Sequence, residues 1–344
     1  MICHRIRLPY RVMRCMTAAG VEVHVLGNEL SRGLRYSKDC HGFTEASFDF
    51  DGQFSDAMAA EINALCREVG AEIVFPGCAL SSRSLSGLKG KLDVTCFPGP
   101  SLDQFDLLNN KWEFINLCLE NEIPCPKSSL ISTKEEIAGL LADGSLALPI
   151  MAKPLCMDGE KGVIKLTQKT LKAQLESIDY APLLVQEFIE GDDIGASAFC
   201  RSGEIVAFLS HRLDGGEYST FTNELIRASI SKISRQLELN GVYNFDMRRA
   251  ADGTIYFLEC NPRFFFKMPL SLAAGINFAL PGIDPNYAIR QPSEPGETLT
   301  RTPKAWPQLL LRPWRMSKRD RQFTWFLLSD PISFLREMTH IDWD

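Results

Sequence analysis

Apolar residues in the first part of the chain alternate between the spacing of helices and the continuous runs of buried strands. Positions 12–19 have helical spacing, and the run at 21–27 predicts a strand after them. Positions 54–70 predict a longer helix, because their apolar residues recur at intervals of three and four, and 71–77 predict a second buried strand. Alternation of strands and helices is typical of a parallel sheet. The sequence therefore predicts a small α/β domain over residues 1–103.

The pattern changes after this domain. A helical pattern over 107–122 carries Lys111, and the apolar run at 149–154 predicts a strand with Lys153 near its end. A loop over 156–163 with two glycines then leads into a short apolar strand. Lysines are usually exposed and solvated, so neither lysine indicates a ligand by itself.

Polar residues follow directly after two later apolar runs. The first set comes after the run at 183–185 and comprises Gln186, Glu187, Glu190, Asp192 and Asp193, with the apolar Ile189 among them. The second set ends a hairpin pattern over 196–210 and comprises His211 and Arg212. Taken alone, both sets are equally consistent with solvated strand ends. A helical pattern over 221–239 separates them from the next hairpin.

The residues most suggestive of chemistry lie in the segment 244–263. Two aromatic-rich apolar runs flank an Asp-Gly turn there, which predicts a β-hairpin. Glu259, Asn261 and Arg263 alternate with period two and share one face of the second strand, and Asp246 on the first strand is close enough to meet Glu259. Two converging carboxylates repel each other unless a hard cation lies between them, and Mg²⁺ prefers such oxygen ligands. A solvated acidic hairpin is the alternative.

Composition narrows the class of protein. A chain of 344 residues suggests two or three domains, and a net charge of −6 gives no electrostatic basis for binding nucleic acid. Eleven cysteines occur singly, without CxxC pairs, and the basic start of the chain lacks the apolar core of a secretory leader. Continuous apolar runs are too short for a membrane span. These features predict a reduced, cytoplasmic protein.

In combination and in this order, seven residues resemble the nucleotide and metal site of the ATP-grasp superfamily: Lys111, Lys153, Glu187, Asp246, Glu259, Asn261 and Arg263. The superfamily includes D-alanine–D-alanine ligase, biotin carboxylase and carbamoyl phosphate synthetase. The resemblance implies an α/β (α+β grasp) fold. It would comprise an N-terminal Rossmann-like pre-ATP-grasp domain (1–103), a small lid subdomain (104–185), a large subdomain with the metal site (186–290), and a linker with a C-terminal helical tail (291–344).

The resemblance also implies a role for each matched residue. Lys111 and Lys153 would contact ATP phosphates, and the loop with Gly159 and Gly162 would close over the γ-phosphate. The adenine would lie against Gln186, Glu187 and Ile189, and Asp193 would hold the ribose, with Glu190 and Asp192 as alternatives. Mg²⁺ would bind to Asp246, Glu259 and Asn261, with two ions expected and Mn²⁺ as a substitute. Arg263 and Lys153 would stabilise the transferred group, together with His211 or Arg212.

Superfamily membership implies an ADP-forming ligase that converts a carboxylate to an acyl phosphate and then joins it to an amine or a thiol. The acid or the acceptor could be an amino acid or be carried by another molecule. Activation of bicarbonate, as in biotin carboxylase and carbamoyl phosphate synthetase, is the alternative within enzymes. A nucleotide-binding module without turnover is the alternative outside them. A homodimer is compatible with all three.

Three phenylalanines follow Arg263, where many relatives have a small turn; they would either wall the acceptor pocket or simply pack. Beyond a proline-rich connection, the C-terminal tail interleaves basic and aromatic residues. Its cations are Arg312, Arg315, Lys318, Arg319 and Arg321. Such a tail could lie on a membrane surface or on an acidic carrier protein. Packing against its own chain, or a dimer contact, is the more usual outcome.

Overall fold

The computed structural model describes residues 1–156, 162–287 and 296–338. The chain forms two compact units, each built from several segments. Unit 1 comprises Met1–Phe105, Ala196–Asn244 and Pro262–Asp344, and unit 2 comprises Asp106–Gly195 and Phe245–Asn261. The linear domain boundaries predicted from the sequence remain predictions.

Short strands and helices alternate along the chain. The strands are β1 (Ile2–Cys3), β2 (Val23–Gly27), β3 (Cys40–Glu45), β4 (Ile73–Val74), β5 (Thr95–Cys96), β6 (Ser128–Ile131), β7 (Ile150–Pro154), β8 (Ile164–Leu166), β9 (Leu183–Glu187), β10 (Asp192–Arg201), β11 (Glu204–Asp214), β12 (Glu217–Phe221), β13 (Gly241–Arg249), β14 (Ile255–Asn261) and β15 (Thr298–Arg301). The helices are α1 (Arg7–Thr17), α2 (Asp56–Val69), α3 (Ala79–Leu88), α4 (Leu102–Asn109), α5 (Lys111–Glu120), α6 (Glu136–Ala142), α7 (Leu171–Glu176), α8 (Glu224–Gln236), α9 (Met268–Ala274), α10 (Leu280–Ile283), α11 (Trp306–Leu311), α12 (Lys318–Leu328) and α13 (Pro331–Met338).

Unit 1 begins with the parallel strands that the sequence predicts. Strands β1, β2 and β3 pair in that order in parallel, and β4 pairs with β5 in parallel. The first long helix, α2, begins at the Ser55 cap, whose side chain accepts a hydrogen bond from the Met58 N–H, and ends at Gly70 with φ +65°. Later in the chain, β10, β11, β12 and β15 are successive neighbours in one sheet.

Unit 2 contains a four-stranded sheet with the order β6-β9-β7-β8 and the hairpin formed by β13 and β14. The sheet is antiparallel at each of its junctions. One apolar cluster covers it, built from side chains such as Ile131, Ile137, Ile150, Leu166 and Val185. Strands β10 and β13 contribute residues to both units.

The helix predicted over 107–122 is wrong as a single element, because it divides at Asn110 into α4 and α5. The Asn110 side chain accepts hydrogen bonds from the N–H groups of Trp112 and Glu113 and thereby starts a new helix. Lys111 is therefore fixed in the first turn of α5. No helix in the described ranges is long and apolar enough to cross a membrane.

Candidate functional site

Lys153 lies on β7 and is held from the neighbouring strand. In the antiparallel register, Met151 stands opposite Gln186, so Lys153 and Gln186 are diagonal neighbours on one face of the sheet. The Lys153 Nζ donates a hydrogen bond to Gln186 Oε1 at 2.7 Å, and Gln186 Nε2 donates to Ser128 Oγ at 2.9 Å. Lys153 is only 8% exposed, so its ammonium group is held in a defined position rather than solvated.

Lys111 joins the start of α5 to the second strand of the hairpin. Its backbone N–H donates to the Leu155 carbonyl at 3.0 Å, which ties the helix start to the end of β7. Its side chain is buried, and Nζ lies 3.2 Å from Glu259 Oε2. The two lysines predicted from the sequence thus belong to the same unit as the hairpin carboxylates.

The hairpin brings together the three residues predicted to hold a metal ion. Asn261 Nδ2 donates to Asp246 Oδ2 at 3.1 Å and to Glu259 Oε1 at 3.2 Å, so the two carboxylates converge on one amide. Among the described residues, no three His, Cys, Asp or Glu side chains are grouped to hold a metal ion. The predicted site has two carboxylates, which are hard oxygen donors of the kind that Mg²⁺ uses, and an amide that faces them with Nδ2.

Charge and burial oppose each other in this cluster. Burial alone would raise the pKa of the Glu259 carboxyl, but Lys111, Lys153 and the Asn261 amide outweigh burial and lower it. The pKa of Lys153 is lowered to about 8, chiefly by burial; Lys111 and Arg248 contribute to the lowering, whereas Glu259 and Asp246 oppose it. Glu259 is therefore a carboxylate at neutral pH, and Lys153 is an amine that releases its proton unusually easily.

The residues predicted to contact the adenosine follow β9. The Glu187 N–H donates to the Lys127 carbonyl at 2.9 Å, and Glu187 Oε1 accepts from the Lys127 N–H at 2.8 Å. Asp193 lies 3.5 Å from Arg248 Nε and is 79% exposed, whereas Asp192 is bound to Arg249 at 2.8 Å. Of these two carboxylates, Asp193 is the more accessible to a ribose.

Two cations contact the ring of Phe188, which the sequence did not lead us to expect. Lys165 Nζ lies 3.3 Å from the centre of the Phe188 ring, and the Arg248 guanidinium lies 4.7 Å from it. Arg248 also donates to the Gly191 carbonyl at 3.3 Å. A signal was present in the sequence, because Arg248 follows Asp246 at period two and therefore shares its strand face.

The predicted lid loop and three predicted catalytic residues lie outside this cluster. In the predicted lid loop, Gly159 lies outside the described residues, and Gly162 has a φ of +73°. His211, Arg212 and Arg263 belong to unit 1.

His211 and Arg212 occupy opposite faces of β11. His211 has no exposed surface and stacks on Tyr218 with ring centres 5.3 Å apart. Burial, with a smaller contribution from Lys267, lowers the pKa of His211 well below its usual value, so the imidazole is neutral. Arg212 instead pairs with Asp214 at 2.7 Å. The predicted contact of either side chain with a phosphoryl group remains a prediction.

Arg263 lines a small cleft in unit 1. Its NH1 group donates to the Phe264 carbonyl at 3.2 Å. Lys89, at the end of α3, lines the same cleft and donates to the carbonyls of Gly99 and Pro100. Phe97 and Phe264 supply its aromatic surface. The cleft thus combines two cations with apolar walls.

The lysines and the polar hairpin resemble the nucleotide and metal site of ATP-grasp proteins, and comparisons with known proteins support this resemblance. Residues 179–299 match the family model described as ATP-grasp in the biosynthetic pathway with Ter operon. The predicted resemblance to the ATP-grasp superfamily is confirmed by this match.

Individual relatives are distant. The chain is 24% identical over 234 residues to the carbamoyl phosphate synthase large chain of Caldanaerobacter subterraneus subsp. tengcongensis, which covers 61% of this chain but only 21% of the relative. A biotin carboxylase complex with beta-gamma-ATP from Campylobacter jejuni superposes with a TM-score of 0.64 at 17% identity, covering 87% of this chain and 73% of that one. An L-amino acid ligase from Bacillus licheniformis superposes with a TM-score of 0.57 at 15% identity, covering 83% and 73%. The chain therefore spans about a fifth of the curated relative that it matches.

Proposed function

We propose that this protein is an ATP-dependent ligase that activates a carboxylate as an acyl phosphate and joins it to an amine or a thiol, releasing ADP and phosphate. The observation that carries the proposal is a single cluster in unit 2. It contains Lys111, Lys153, Asp246, Glu259 and Asn261. Two buried lysines beside two carboxylates match the charge requirements of a nucleoside triphosphate accompanied by a divalent cation.

Each residue of the cluster has a role in the proposed site. Lys153, oriented by Gln186, and Lys111 bind phosphate oxygens as positive charges. Backbone and side-chain groups of Gln186, Glu187 and Ile189 contact the adenine, and Asp193 binds the ribose. Asp246, Glu259 and Asn261 would hold Mg²⁺, which when bound would neutralise negative charge on the phosphate oxygens. The number of ions and the use of Mn²⁺ remain predictions.

The proposed acid site is the cleft of unit 1. Arg263 and Lys89 offer two cations to a carboxylate, and Phe97 and Phe264 offer apolar surface to the rest of the acid. In the first step, a carboxylate oxygen attacks the γ-phosphorus and the bond to the bridging oxygen of ADP breaks. The amine nitrogen or thiol sulfur then attacks the acyl carbon and expels phosphate, which keeps one oxygen of the acid. No covalent bond to the enzyme is required.

Activation of bicarbonate is a second candidate. The carbamoyl phosphate synthase and biotin carboxylase matches favour it, although each is at low identity. Bicarbonate needs no apolar pocket, whereas an organic acid would use the aromatic walls of the cleft. The two candidates therefore differ in which acid elicits release of ADP.

The test is ADP release by the full chain with Mg-ATP, without an acid, with bicarbonate, and with a panel of amino acids and other carboxylic acids, each with and without amines. We expect release to depend on an organic acid, and phosphate formed from a heavy-oxygen-labelled acid to carry one labelled oxygen. Release with bicarbonate alone would support the second candidate. No acid-dependent release with any member would leave only a nucleotide-binding module.

Glu259→Gln tests the assigned cluster directly. The variant should lose turnover by a factor of about 100 or more, because one hard anionic donor is replaced by a neutral amide. Glu176→Gln, which changes an exposed glutamate at the end of α7, is the matched control and should keep full activity. Undiminished turnover in the Glu259 variant would contradict the site.

A further inference from the structure

The C-terminal helices are attached to unit 1 through one face. Phe323 and Leu327 of α12 and Phe334 of α13 are buried in the main core of that unit. The Arg14 guanidinium lies 4.2 Å from the centre of the Phe326 ring and donates to Ser329 Oγ at 2.9 Å. These contacts fix the position of the helices, and no residue that the structure describes covers their opposite face.

That opposite face carries large apolar side chains. Trp314 is 78% exposed and Trp325 is 75% exposed. A rotation of 100° per residue places Lys318, Arg321, Trp325 and Leu328 together, opposite the buried positions 320, 323 and 327. We call the exposed side chains of residues 311–335 the C-terminal surface. Its apolar members are Leu311, Trp314, Trp325, Leu328, Ile332 and Leu335.

The charge of the C-terminal surface has one sign. Its cations are all exposed: Arg312, Arg315, Lys318, Arg319 and Arg321. Only two acids occur between 311 and 335, and both are buried. Asp320 accepts hydrogen bonds from Arg301 and from the Ser317 N–H, and Asp330 accepts one from Ser37. A chain with a net charge of −6 therefore presents a purely basic surface here.

We propose that the C-terminal surface binds the surface of an anionic lipid bilayer. Tryptophan rings and isolated aliphatic side chains partition into the headgroup region, and arginine and lysine beside them attract anionic headgroups. The apolar residues are interleaved with cations along the chain, an arrangement that suits a fluid charged surface better than a dry protein interface. The inference does not rest on the proposed ligase activity.

The test is co-sedimentation of the full chain with vesicles of phosphatidylcholine alone and with vesicles of phosphatidylcholine and phosphatidylglycerol in equal parts. We expect binding to the anionic vesicles, a blue shift of tryptophan emission, and release at high salt. The double variant Arg315→Gln/Arg319→Gln should bind about 25-fold more weakly, because each basic residue near the surface contributes about fivefold. The double variant Trp314→Ser/Trp325→Ser should also lose binding and the blue shift.

Matched controls use similar residues elsewhere. Leu225→Ser changes a side chain of α8 that is 75% exposed, and Lys172→Gln changes an exposed lysine of α7. Both should bind like the unchanged chain, and circular dichroism should show that all variants are folded. Three outcomes would overturn the proposal: no binding to anionic vesicles, binding by both double variants as tight as that of the unchanged chain, or a self-associated chain that dissociates in the tryptophan variant without any vesicle binding. The last would identify the surface as a contact between two copies of the chain.

Discussion

Replacing Lys153 with methionine should change stability by an amount that depends on pH, and it should weaken nucleotide binding. Methionine has a similar length and no charge, so the variant removes an ammonium group from a site that is only 8% exposed. The pKa of Lys153 falls from its usual 10.5 to about 8, chiefly because of burial. At about 1.4 kcal/mol for each pH unit, that difference corresponds to about 3 kcal/mol.

The sign of the effect follows from the direction of the shift. Below pH 8, the lysine is protonated in both the folded and the unfolded chain, and its buried charge destabilises the fold by the full amount. Between 8 and 10.5, the unfolded chain holds a proton that the folded chain has released, so stability rises with pH. Above 10.5, the lysine is neutral in both states and the destabilisation is gone.

Comparing the unchanged chain with Lys153→Met isolates the contribution of the Lys153 charge to the free energy of unfolding. In Lys153→Met, Gln186 Oε1 loses its donor, which costs about 1–3 kcal/mol at every pH. The stability of the variant relative to the unchanged chain should therefore fall by about 3 kcal/mol as pH rises through the window from 8 to 10.5. Urea unfolding of both proteins at a series of pH values measures this difference in the free energy of unfolding. Contributions of the other titrating groups are the same in both proteins and cancel.

Lys172→Met is the control, because it removes an exposed lysine of the same unit and leaves Lys153 in place. A thermal-shift assay tests nucleotide binding. Mg-ATP should raise the unfolding temperature of the unchanged chain and of the control, but not that of Lys153→Met. A pH-independent difference for Lys153→Met would refute the described burial of the amine. Retained stabilisation by Mg-ATP would refute its phosphate contact.

Two further substitutions test the fold. Gly191 has a φ of +146°, and an added Cβ would lie 2.0 Å from the Arg249 carbonyl oxygen. Gly191→Ala should therefore lower the free energy of unfolding by about 3 kcal/mol or more. The control Gly144→Ala, whose added Cβ would have nothing within 4 Å, should lower it by about 1 kcal/mol. Burial would raise the pKa of Asp320, but hydrogen bonds from Arg301 and Ser317 outweigh it and lower it. Asp320→Asn should therefore cost about 1–3 kcal/mol at neutral pH, and this cost should shrink as acid protonates the carboxylate of the unchanged chain; a cost that is constant in acid would contradict the assignment.

The sequence could predict those parts of the site in which partners are close along the chain. Period-two spacing placed Glu259 and Asn261 on one strand face, and the Asp-Gly turn brought Asp246 opposite them. The contact between Lys111 and Glu259 was out of reach, because it depends on how α5 packs against β14. The link from Lys153 to Gln186 also required the register of two strands that are not adjacent in sequence.

His211 shows why residue type alone was insufficient. A basic pair at a strand end suggests side chains that are solvated or that bind an anion. However, β11 continues to Asp214, so His211 and Arg212 lie within the strand. Alternation then puts His211 on the same face as the buried Leu209 and Ala207, and Arg212 on the other face. The phenylalanines after Arg263 also divide: Phe264 lines the cleft, Phe265 packs on Phe278, and Phe266 lies under Arg11. The packing role is therefore present at Phe265, and the role as a wall of the acceptor pocket stays a prediction.

The contact between Lys111 and Glu259 gives the Glu259→Gln experiment a second consequence. In this structure the lysine and the Asn261 amide supply the positive partners of the carboxylate, so the cluster is neutralised from within the chain. A nucleotide phosphate competes with Glu259 for Lys111, and a divalent cation between the carboxylates relieves that competition. Nucleotide and cation should therefore each strengthen binding of the other by the same factor. In Glu259→Gln, the Glu259 carboxylate no longer competes with phosphate for Lys111, so metal-free nucleotide should bind at least as tightly as to the unchanged chain while turnover is lost. Loss of both binding and turnover would instead mean that Glu259 maintains the local structure rather than the proposed cation site.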